Sequence, residues 1–171
     1  MNYANKLVFG FFVRETQLFH CYFLYKSQNE GPIQQVMTAE GKSLIISFLA
    51  IFINLIYKKK VDILTRSIIL AERDCLLYKN FYKLFDIKTD FCRENLDSSI
   101  NKIYYNADIL YGDYLNFEAD ILRANSLEVQ GRKIDRYFEC IIIDEIDNIC
   151  IDNIKNLTEL LDDFPGYKSV E

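Results

Sequence analysis

The sequence has 171 residues, of which half are hydrophobic and 15% aromatic, and it carries a formal net charge of −5. This length and composition predict one folded domain with a substantial core, and they exclude a disordered or low-complexity protein. The net negative charge provides no overall electrostatic attraction for nucleic acid, so we expect no nucleic-acid partner. A net charge does not detect a local basic groove. The five cysteines have scattered spacing, which favours reduced and mostly buried thiols in a cytoplasmic protein.

Two apolar stretches raise the question of a membrane. The first reaches Arg14 and Glu15 too soon to be a convincing signal peptide. The second, residues 44–57, is too short for a comfortable bilayer span and predicts a buried helix that stops at the three lysines of residues 58–60.

Hydrophobic periodicity predicts helices and strands that alternate along most of the chain. Helices are expected at residues 14–26, 44–57, 70–85 and 114–125, the third with an apolar face of Leu76, Leu77, Phe81, Leu84 and Phe85. Strands are expected at residues 33–37, 61–65, 87–91, 107–111 (closed by Gly112) and 138–143. Such alternation predicts a parallel sheet covered on both faces, and the all-apolar residues 141–143 are typical of a central strand.

One stretch, QVMTAEGKS at residues 35–43, ends in the Gly-Lys-Ser of a phosphate-binding loop. Val36 stands where the usual pattern has its first glycine, so the stretch alone is a weak signal. If it joins a strand to a helix, backbone N–H groups and the helix N-terminus would bind an anion there. Lys42 would then reach the β- and γ-phosphates, and the Ser43 hydroxyl would bind Mg²⁺.

An acidic pair follows the apolar residues 141–143. Asp144 would hold the metal through water, and Glu145 would polarise the attacking water. An acidic residue after an apolar strand is often only solvated. In combination with the Gly-Lys-Ser loop, in this order and in an alternating chain, the pair predicts a nucleotide site.

These motifs together resemble the first RecA-like lobe of the SecA preprotein-translocase motor, a DEAD-type nucleotide-binding lobe, and most of all the SecA-like domains within some eukaryotic proteins. The resemblance runs from about Arg14 to Asp152. It rests on the segments RETQL, MTAEGKS, VDILTRSIILAERD, FYKLFDI, ADILYGDYLNFEADILR and IIIDEIDNICID, in family order. It implies a three-layer α/β P-loop NTPase fold, RecA-like, with a central and mainly parallel sheet. The implied organisation is an N-terminal segment at residues 1–13, the lobe at 14–156 and a short tail at 157–171.

The resemblance also implies roles for individual residues. Nucleotide-binding roles fall on Gln17, which would read adenine, and on Thr38, Ala39, Glu40, Gly41, Lys42 and Ser43. Metal binding falls on Ser43 and Asp144, and catalysis on Glu145. The family also lacks the distant first glycine, which removes the objection raised by Val36. Ala39 stands where the family has glycine, and alanine there would cost about 1 kcal/mol if that backbone needs a positive φ.

The same resemblance implies ATP and Mg²⁺ as cofactors, and a cytoplasmic protein that can sit at the periphery of a membrane. A preprotein or a membrane translocon would be further partners. In such motors an arginine from a second RecA-like lobe closes the nucleotide cleft, and the 171 residues contain no counterpart of that lobe. We therefore expect ATP hydrolysis to need a second lobe or a larger assembly. The alternative is a binding or structural module that kept the fold and lost turnover.

Overall fold

The computed structural model describes residues 1–93, 103–118, 136 and 138–152. Its helices are α1 (Asn2–Phe9), α2 (Glu15–Lys26), α3 (Lys42–Tyr57) and α4 (Ile68–Lys83). Its strands are β1 (Val61–Thr65), β2 (Thr89–Phe91), β3 (Ile109–Asp113) and β4 (Ile141–Ile143). Short helical turns occupy Gln28–Glu30, Ile103–Asn106 and Asn148–Asp152, and residues 114–118 are helical.

The four strands form one parallel sheet in the order β2-β3-β1-β4. In this register Val61 of β1 lies beside Ile109 of β3, and Asp62 lies beside Ile141 of β4. Because all the strands are parallel, their carboxyl ends meet at one edge of the sheet, which is where ligands bind in open α/β sheets. The predicted α/β fold with a parallel sheet is confirmed.

The main core lies on one face of the sheet. There Val61, Ile63 and Ile109 pack against α3 and α4, and α3 buries most of its length because it is apolar on nearly every side. Full burial of one such aliphatic side chain contributes about 1.5–3 kcal/mol. A second cluster on the other face surrounds Leu110 and includes Phe117.

Gly112 makes the packing of that second cluster possible. A methyl group at this position would lie 2.6 Å from the ring of Phe117 and 2.9 Å from the Cys92 sulfur. Strand β3 therefore continues through Gly112 to Asp113, whereas the sequence predicted that the glycine would close it. Asp113 then accepts the N–H of Asn116 at 2.9 Å and caps the helical residues 114–118.

The N-terminal segment contributes to the core, which the sequence analysis did not predict. The ring of Phe9 in α1 lies 5.4 Å from that of Tyr78 and 5.7 Å from that of Phe81, both in α4. Asn5 is buried and donates to the Phe11 carbonyl at 2.8 Å. These contacts join residues 1–13 to the lobe, while the predicted boundary at residue 14 stays a prediction.

Three predicted helices and one strand are confirmed with shifts of one or two residues at their ends: residues 14–26, 44–57, 70–85 and 61–65. The predicted helix at 114–125 is observed over residues 114–118, and its remainder lies outside the described residues. The five apolar positions of the third helix lie in two environments. Phe81 is fully buried and Phe85 packs against the core, whereas Leu76, Leu77 and Leu84 are about half exposed. The buried stripe runs through Ala71, Asp74, Cys75, Tyr78, Phe81 and Tyr82.

Two strand predictions are wrong. Residues 33–37 form no ladder with any described strand; Val36 packs against the core, while Ile33 and Met37 are 78% and 76% exposed. Residues 141–143 form the edge strand among the described strands rather than a central one, with Ile141 49% and Ile143 40% exposed. Only Ile142 of that strand packs against the main core. All three residues are apolar, but only one of them contributes to the core. Strand β4 is also shorter than predicted, Ile141–Ile143 for 138–143, and so is β2, Thr89–Phe91 for 87–91.

A buried ion pair anchors the chain that leads into β4. The side chains of Arg136 and Asp62 are both fully buried, with Arg136 Nε 2.8 Å from Asp62 Oδ1. The other guanidinium N–H groups donate to main-chain carbonyls at the amino ends of β1 and β3, namely those of Val61, Tyr105, Ala107 and Asp108. Burial raises the pKa of Asp62, and the positive charge of Arg136 opposes that rise.

The cysteines and the apolar helices agree with the sequence analysis. Cys21, Cys75 and Cys92 are buried, which agrees with the expectation of mostly buried thiols. Within the described residues, the helices offer no segment with the length and hydropathy needed to cross a bilayer.

Candidate functional site

The Gly-Lys-Ser loop is a tight turn that leads directly into α3. The Glu40 N–H donates to the Met37 carbonyl at 3.2 Å, and Ala39 inside this turn has φ 67°. The backbone at Ala39 is therefore left-handed, a conformation in which any residue with a Cβ is strained. Gly41 has φ 79°, and a methyl group there would lie 2.5 Å from Gln17 Nε2. Glycine is thus required at position 41, and alanine is strained at position 39.

Helix α3 begins at the end of this loop with its first N–H groups uncapped by any side chain. Its N-cap is Gly41, whose carbonyl accepts the N–H groups of Leu44 at 3.1 Å and Ile45 at 3.2 Å. A helix N-terminus without a side-chain cap presents N–H donors and the positive end of the helix dipole. The loop and the start of α3 therefore make a surface suited to an anion.

Gln17 holds the loop against α2. Its Nε2 donates to the Glu40 carbonyl at 2.8 Å, and its Oε1 accepts the Arg14 N–H at 3.1 Å. The side chain is buried, and beside it Arg14 makes an exposed ion pair with Glu40 at 3.2 Å. Because a primary amide has two donor hydrogens and two acceptor lone pairs, one of each remains unused by these two contacts. The structure places Gln17 behind the loop, and its role toward adenine stays a prediction.

Lys42 joins the loop to the acidic end of β4. Its Nζ lies 3.8 Å from Asp144 Oδ1 and 3.5 Å from Glu145 Oε1. The Asp144 N–H donates to the Leu64 carbonyl at 2.9 Å, which fixes this end of β4 beside β1. Burial raises the pKa of Asp144; the charge of Lys42 opposes that rise, and the carboxylates of Glu145 and Asp74 add to it.

Glu145 turns the chain out of the sheet. It is a non-glycine residue with φ 57°, and its carbonyl accepts the Ile149 N–H at 3.2 Å in the following helical turn. Its carboxylate is half-buried, and its only ion pair among the described residues is the 3.5 Å contact with Lys42. Strained backbone of this kind is often found at functional sites.

Ser43 contacts a carboxylate that the sequence analysis missed. Its Oγ donates to Asp74 Oδ2 at 3.2 Å, and Asp74 is only 4% exposed. Asp74 Oδ1 accepts from Arg73, with Nε and Nη2 both at 2.8 Å. A signal was available in the sequence, because Asp74 falls on the stripe of Ala71, Cys75 and Tyr78 at helical spacing. An acid among buried positions is costly unless it has partners, and it therefore marks a candidate functional residue.

The predicted site residues fall into three groups. Lys42, Asp144 and Glu145 meet at the carboxyl edge of the sheet, with Ser43 next to Lys42 at the start of α3. Glu40, Gly41 and Gln17 form the tethered back of the loop. Thr38 and Ala39 are exposed at its tip, without a side-chain contact to the acidic residues.

The donor set agrees with Mg²⁺. Ser43, Asp144 and the nearby Asp74 offer only oxygen atoms, which are the ligands that Mg²⁺ prefers. Within the described residues, no three acidic, cysteine or histidine side chains converge to hold a metal by themselves. Magnesium usually keeps several waters and takes one or two protein oxygens together with phosphate oxygens, so a sparse donor set fits it better than a closed cage would.

Known proteins share this sequence pattern over most of the chain. The sequence matches the family described as SecA DEAD-like domain over residues 2–158. The protein translocase subunit SecA of Campylobacter concisus is 34% identical over 128 residues, which cover 74% of this chain and 15% of that protein. SecA of Clostridium botulinum (strain Hall) is 32% identical over 143 residues, 84% of this chain and 17% of the relative. SecA of Leptospira interrogans is 34% identical over 125 residues, 73% of this chain and 14% of the relative.

The chain thus spans only about a sixth of the length of these curated relatives. Its parallel sheet with flanking helices and its loop before α3 agree with the family that the sequence matches. The resemblance to a SecA-like first lobe is confirmed, and this chain belongs to the SecA DEAD-like domain family.

Proposed function

We propose that this domain binds ATP and ADP together with Mg²⁺, as the nucleotide-binding lobe of a SecA-like motor. The observation that carries the proposal is the position of Lys42. At the start of α3 it faces both carboxylates of the acidic strand end, at 3.8 Å and 3.5 Å. A lysine beside uncapped helix N–H groups and opposite two acids is the pattern that phosphate and Mg²⁺ require.

Phosphate binding would use groups that are already in place. The loop N–H groups and the helix dipole would hold the anion, and Lys42 would exchange its long contacts with Asp144 and Glu145 for a charge-assisted contact with phosphate. Ser43 and Asp144 are the residues that would hold Mg²⁺. When bound, this ion neutralises charge on the β- and γ-phosphates.

Base recognition would fall to Gln17. The donor hydrogen and the lone pair left on its amide match a base edge that offers one acceptor and one donor, as adenine does at N7 and N6. The Gln17 amide also donates to the Glu40 carbonyl at 2.8 Å, so one residue would contact both the base and the phosphate-binding loop.

Hydrolysis would use Glu145 to orient the attacking water, and it would need more positive charge at the γ-phosphate than Lys42 supplies. We propose that a second RecA-like lobe or a larger assembly supplies that charge. The relatives carry the name protein translocase subunit. We therefore extend the proposal to protein transport, with a preprotein or a translocon as partners and a cytoplasmic or membrane-peripheral location.

Titration with a fluorescent ADP or ATP analogue, with Mg²⁺ and again with excess EDTA, tests the binding proposal. Lys42→Ala should weaken binding about tenfold to a hundredfold, because a charge-assisted contact contributes about 1.5–3 kcal/mol. Lys59→Ala is the matched control, since this exposed lysine lies just beyond the other end of α3 and should leave binding unchanged. Equal binding by the wild type and Lys42→Ala would contradict the proposal.

The alternative function, a binding or structural module without turnover, is favoured by one observation. Ala39 holds a left-handed backbone at φ 67°, where the strain makes the loop less suited to close around phosphate. The same titration tests this alternative where the site itself has been lost, because such a module would bind neither nucleotide at millimolar concentration.

A further inference from the structure

We infer that Asp74 is a positioning residue for the metal site, which orients the Ser43 hydroxyl so that its lone pairs remain available to Mg²⁺. This inference rests on the proposed nucleotide site and adds a residue to it. Asp74 lies in α4, outside both the loop and the acidic strand end. It reaches the site only through Ser43.

The contact is specific and shielded from solvent. Asp74 is 4% exposed, and its Oδ2 lies 3.2 Å from Ser43 Oγ. Asp74 occupies a position of α4 that lies between the buried residues Ala71 and Tyr78. A buried carboxylate at such a position has to be compensated by its partners.

The chemistry of the two groups fixes the direction of the hydrogen bond. An ionised carboxylate only accepts, whereas a serine hydroxyl has one hydrogen to donate and two lone pairs. Ser43 must therefore give its single hydrogen to Asp74, which leaves both lone pairs of Oγ free for a cation. A hydrogen bond to a carboxylate also makes the oxygen a better donor to a metal, as such partners do in known metal sites.

Arg73 holds the other oxygen of the Asp74 carboxylate. Its Nε and Nη2 both lie 2.8 Å from Asp74 Oδ1, while Ser43 occupies Oδ2. The two oxygens of Asp74 therefore have separate partners, and the guanidinium holds Oδ1 while Oδ2 faces Ser43.

The test measures ADP affinity with Mg²⁺ and with excess EDTA, and takes the ratio of the two. Asp74→Asn keeps the shape of the side chain, but its amide can donate to Ser43 Oγ and occupy a lone pair. We expect this variant to lose about tenfold of the Mg²⁺-dependent gain, since partners of this kind contribute about 10–100-fold to metal affinity. In EDTA no metal is bound, and the substitution removes no hydrogen bond to phosphate, which would contribute about 1 kcal/mol or less. The affinity for ADP should therefore stay within about twofold of the wild type.

Controls separate this role from a purely structural one. Glu72→Gln removes one negative charge from the neighbouring exposed position of α4 and should leave the ratio unchanged. In a Ser43→Ala background, Asp74→Asn should have no further effect on the ratio. Asp74→Ala places a good helix former in α4 and can be tested if the asparagine variant does not fold. It should lower the ratio of the two ADP affinities less than Asp74→Asn does, because the Ser43 hydroxyl is then free to rotate.

An Asp74→Asn variant whose affinities fall equally with Mg²⁺ and with EDTA would overturn the inference and leave the nucleotide site intact. A ratio equal to that of the wild type would overturn it as well. A wild-type chain that binds no ADP under either condition would instead overturn the proposed function on which the inference rests.

Discussion

The two halves of the candidate site are built to different degrees. The loop half is tied to two helices by hydrogen bonds from Gln17 to Glu40 and from Ser43 to Asp74, at 2.8 Å and 3.2 Å. The acidic half, Asp144 and Glu145, follows an edge strand of three residues and meets Lys42 only at 3.8 Å and 3.5 Å. Contacts of that length between half-exposed groups contribute about 1 kcal/mol or less.

This difference indicates which step each half can perform by itself. Phosphate binding needs preorganised N–H groups and a lysine, and the loop half provides them within the lobe. Hydrolysis needs a water and charges held in line with the γ-phosphate, and the long contacts of Lys42 with Asp144 and Glu145 supply no such alignment by themselves. We therefore propose that this lobe can bind nucleotide by itself and that a partner completes the hydrolytic half.

The largest expected effect concerns the anchor of the acidic half. Asp62→Ala should lower the free energy of unfolding by about 3–5 kcal/mol, because it leaves Arg136 buried without its counter-charge. Asp90→Ala is the matched control, since Asp90 lies on β2 and pairs with Arg93 in an exposed ion pair at 2.6 Å. The control should cost about 1 kcal/mol or less. Urea unfolding measures both variants, and equal costs would show that the chain entering β4 is anchored elsewhere.

A smaller effect is expected for base choice in the loop half. Gln17→Ala should reduce the preference for ATP over GTP about tenfold, which corresponds to the loss of about one hydrogen bond of 1.4 kcal/mol. Both nucleotides should also bind somewhat more weakly, because the Glu40 carbonyl loses its partner. Thr16→Ala, at an exposed position next to it on α2, should change neither quantity. If competition titrations give an unchanged ratio for Gln17→Ala, the residue is a tether of the loop and reads no base.

A still smaller effect tests the strain in the loop. Ala39→Gly should raise the free energy of unfolding by about 0.5–1 kcal/mol. Glycine relieves a left-handed backbone that costs alanine about 1–2 kcal/mol, and the greater entropy of the unfolded chain with glycine offsets part of this gain. Ala71→Gly, the same substitution inside α4, should lower it by about 1 kcal/mol. Thermal unfolding of both variants checks the signs. A loss of stability in Ala39→Gly would mean that alanine suits this turn.

Much of the fold followed from local patterns in the sequence. The long apolar run predicted α3 because a helix that is buried on nearly every side needs no periodicity, and β1 was visible as a short apolar strand. The edge position of β4 could not be predicted, because residues 141–143 are apolar whether or not they are buried. Helix α1 was missed because it is stabilised by long-range aromatic contacts of Phe9 with α4, which no local pattern reports.

The residues of the candidate site likewise divide into those that the sequence predicted and those that it did not. Lys42, Ser43, Asp144 and Glu145 belong to motifs with fixed spacing, and the structure brings Lys42 to both acids as such motifs require. Asp74 ends the segment VDILTRSIILAERD, for which the resemblance implied no role for this residue, and its burial depends on the rotation of α4, which the exposed Leu76 and Leu77 do not report. The helical spacing of Asp74 with Ala71, Cys75 and Tyr78 was a signal in the sequence, and the packing of α4 shows that this stripe is the buried one.

The smallest expected effect is also the most direct test of the account. Steady-state ATP hydrolysis by the purified 171-residue chain, at saturating ATP and Mg²⁺, should lie barely above the rate without protein, because an arginine finger of the kind a partner supplies contributes about 10³–10⁵ in rate. Glu145→Gln should then change the rate little, although both proteins bind nucleotide in the same assay. Brisk hydrolysis by the wild-type chain alone, abolished in Glu145→Gln, would contradict the account and show that both halves of the site are complete in this lobe.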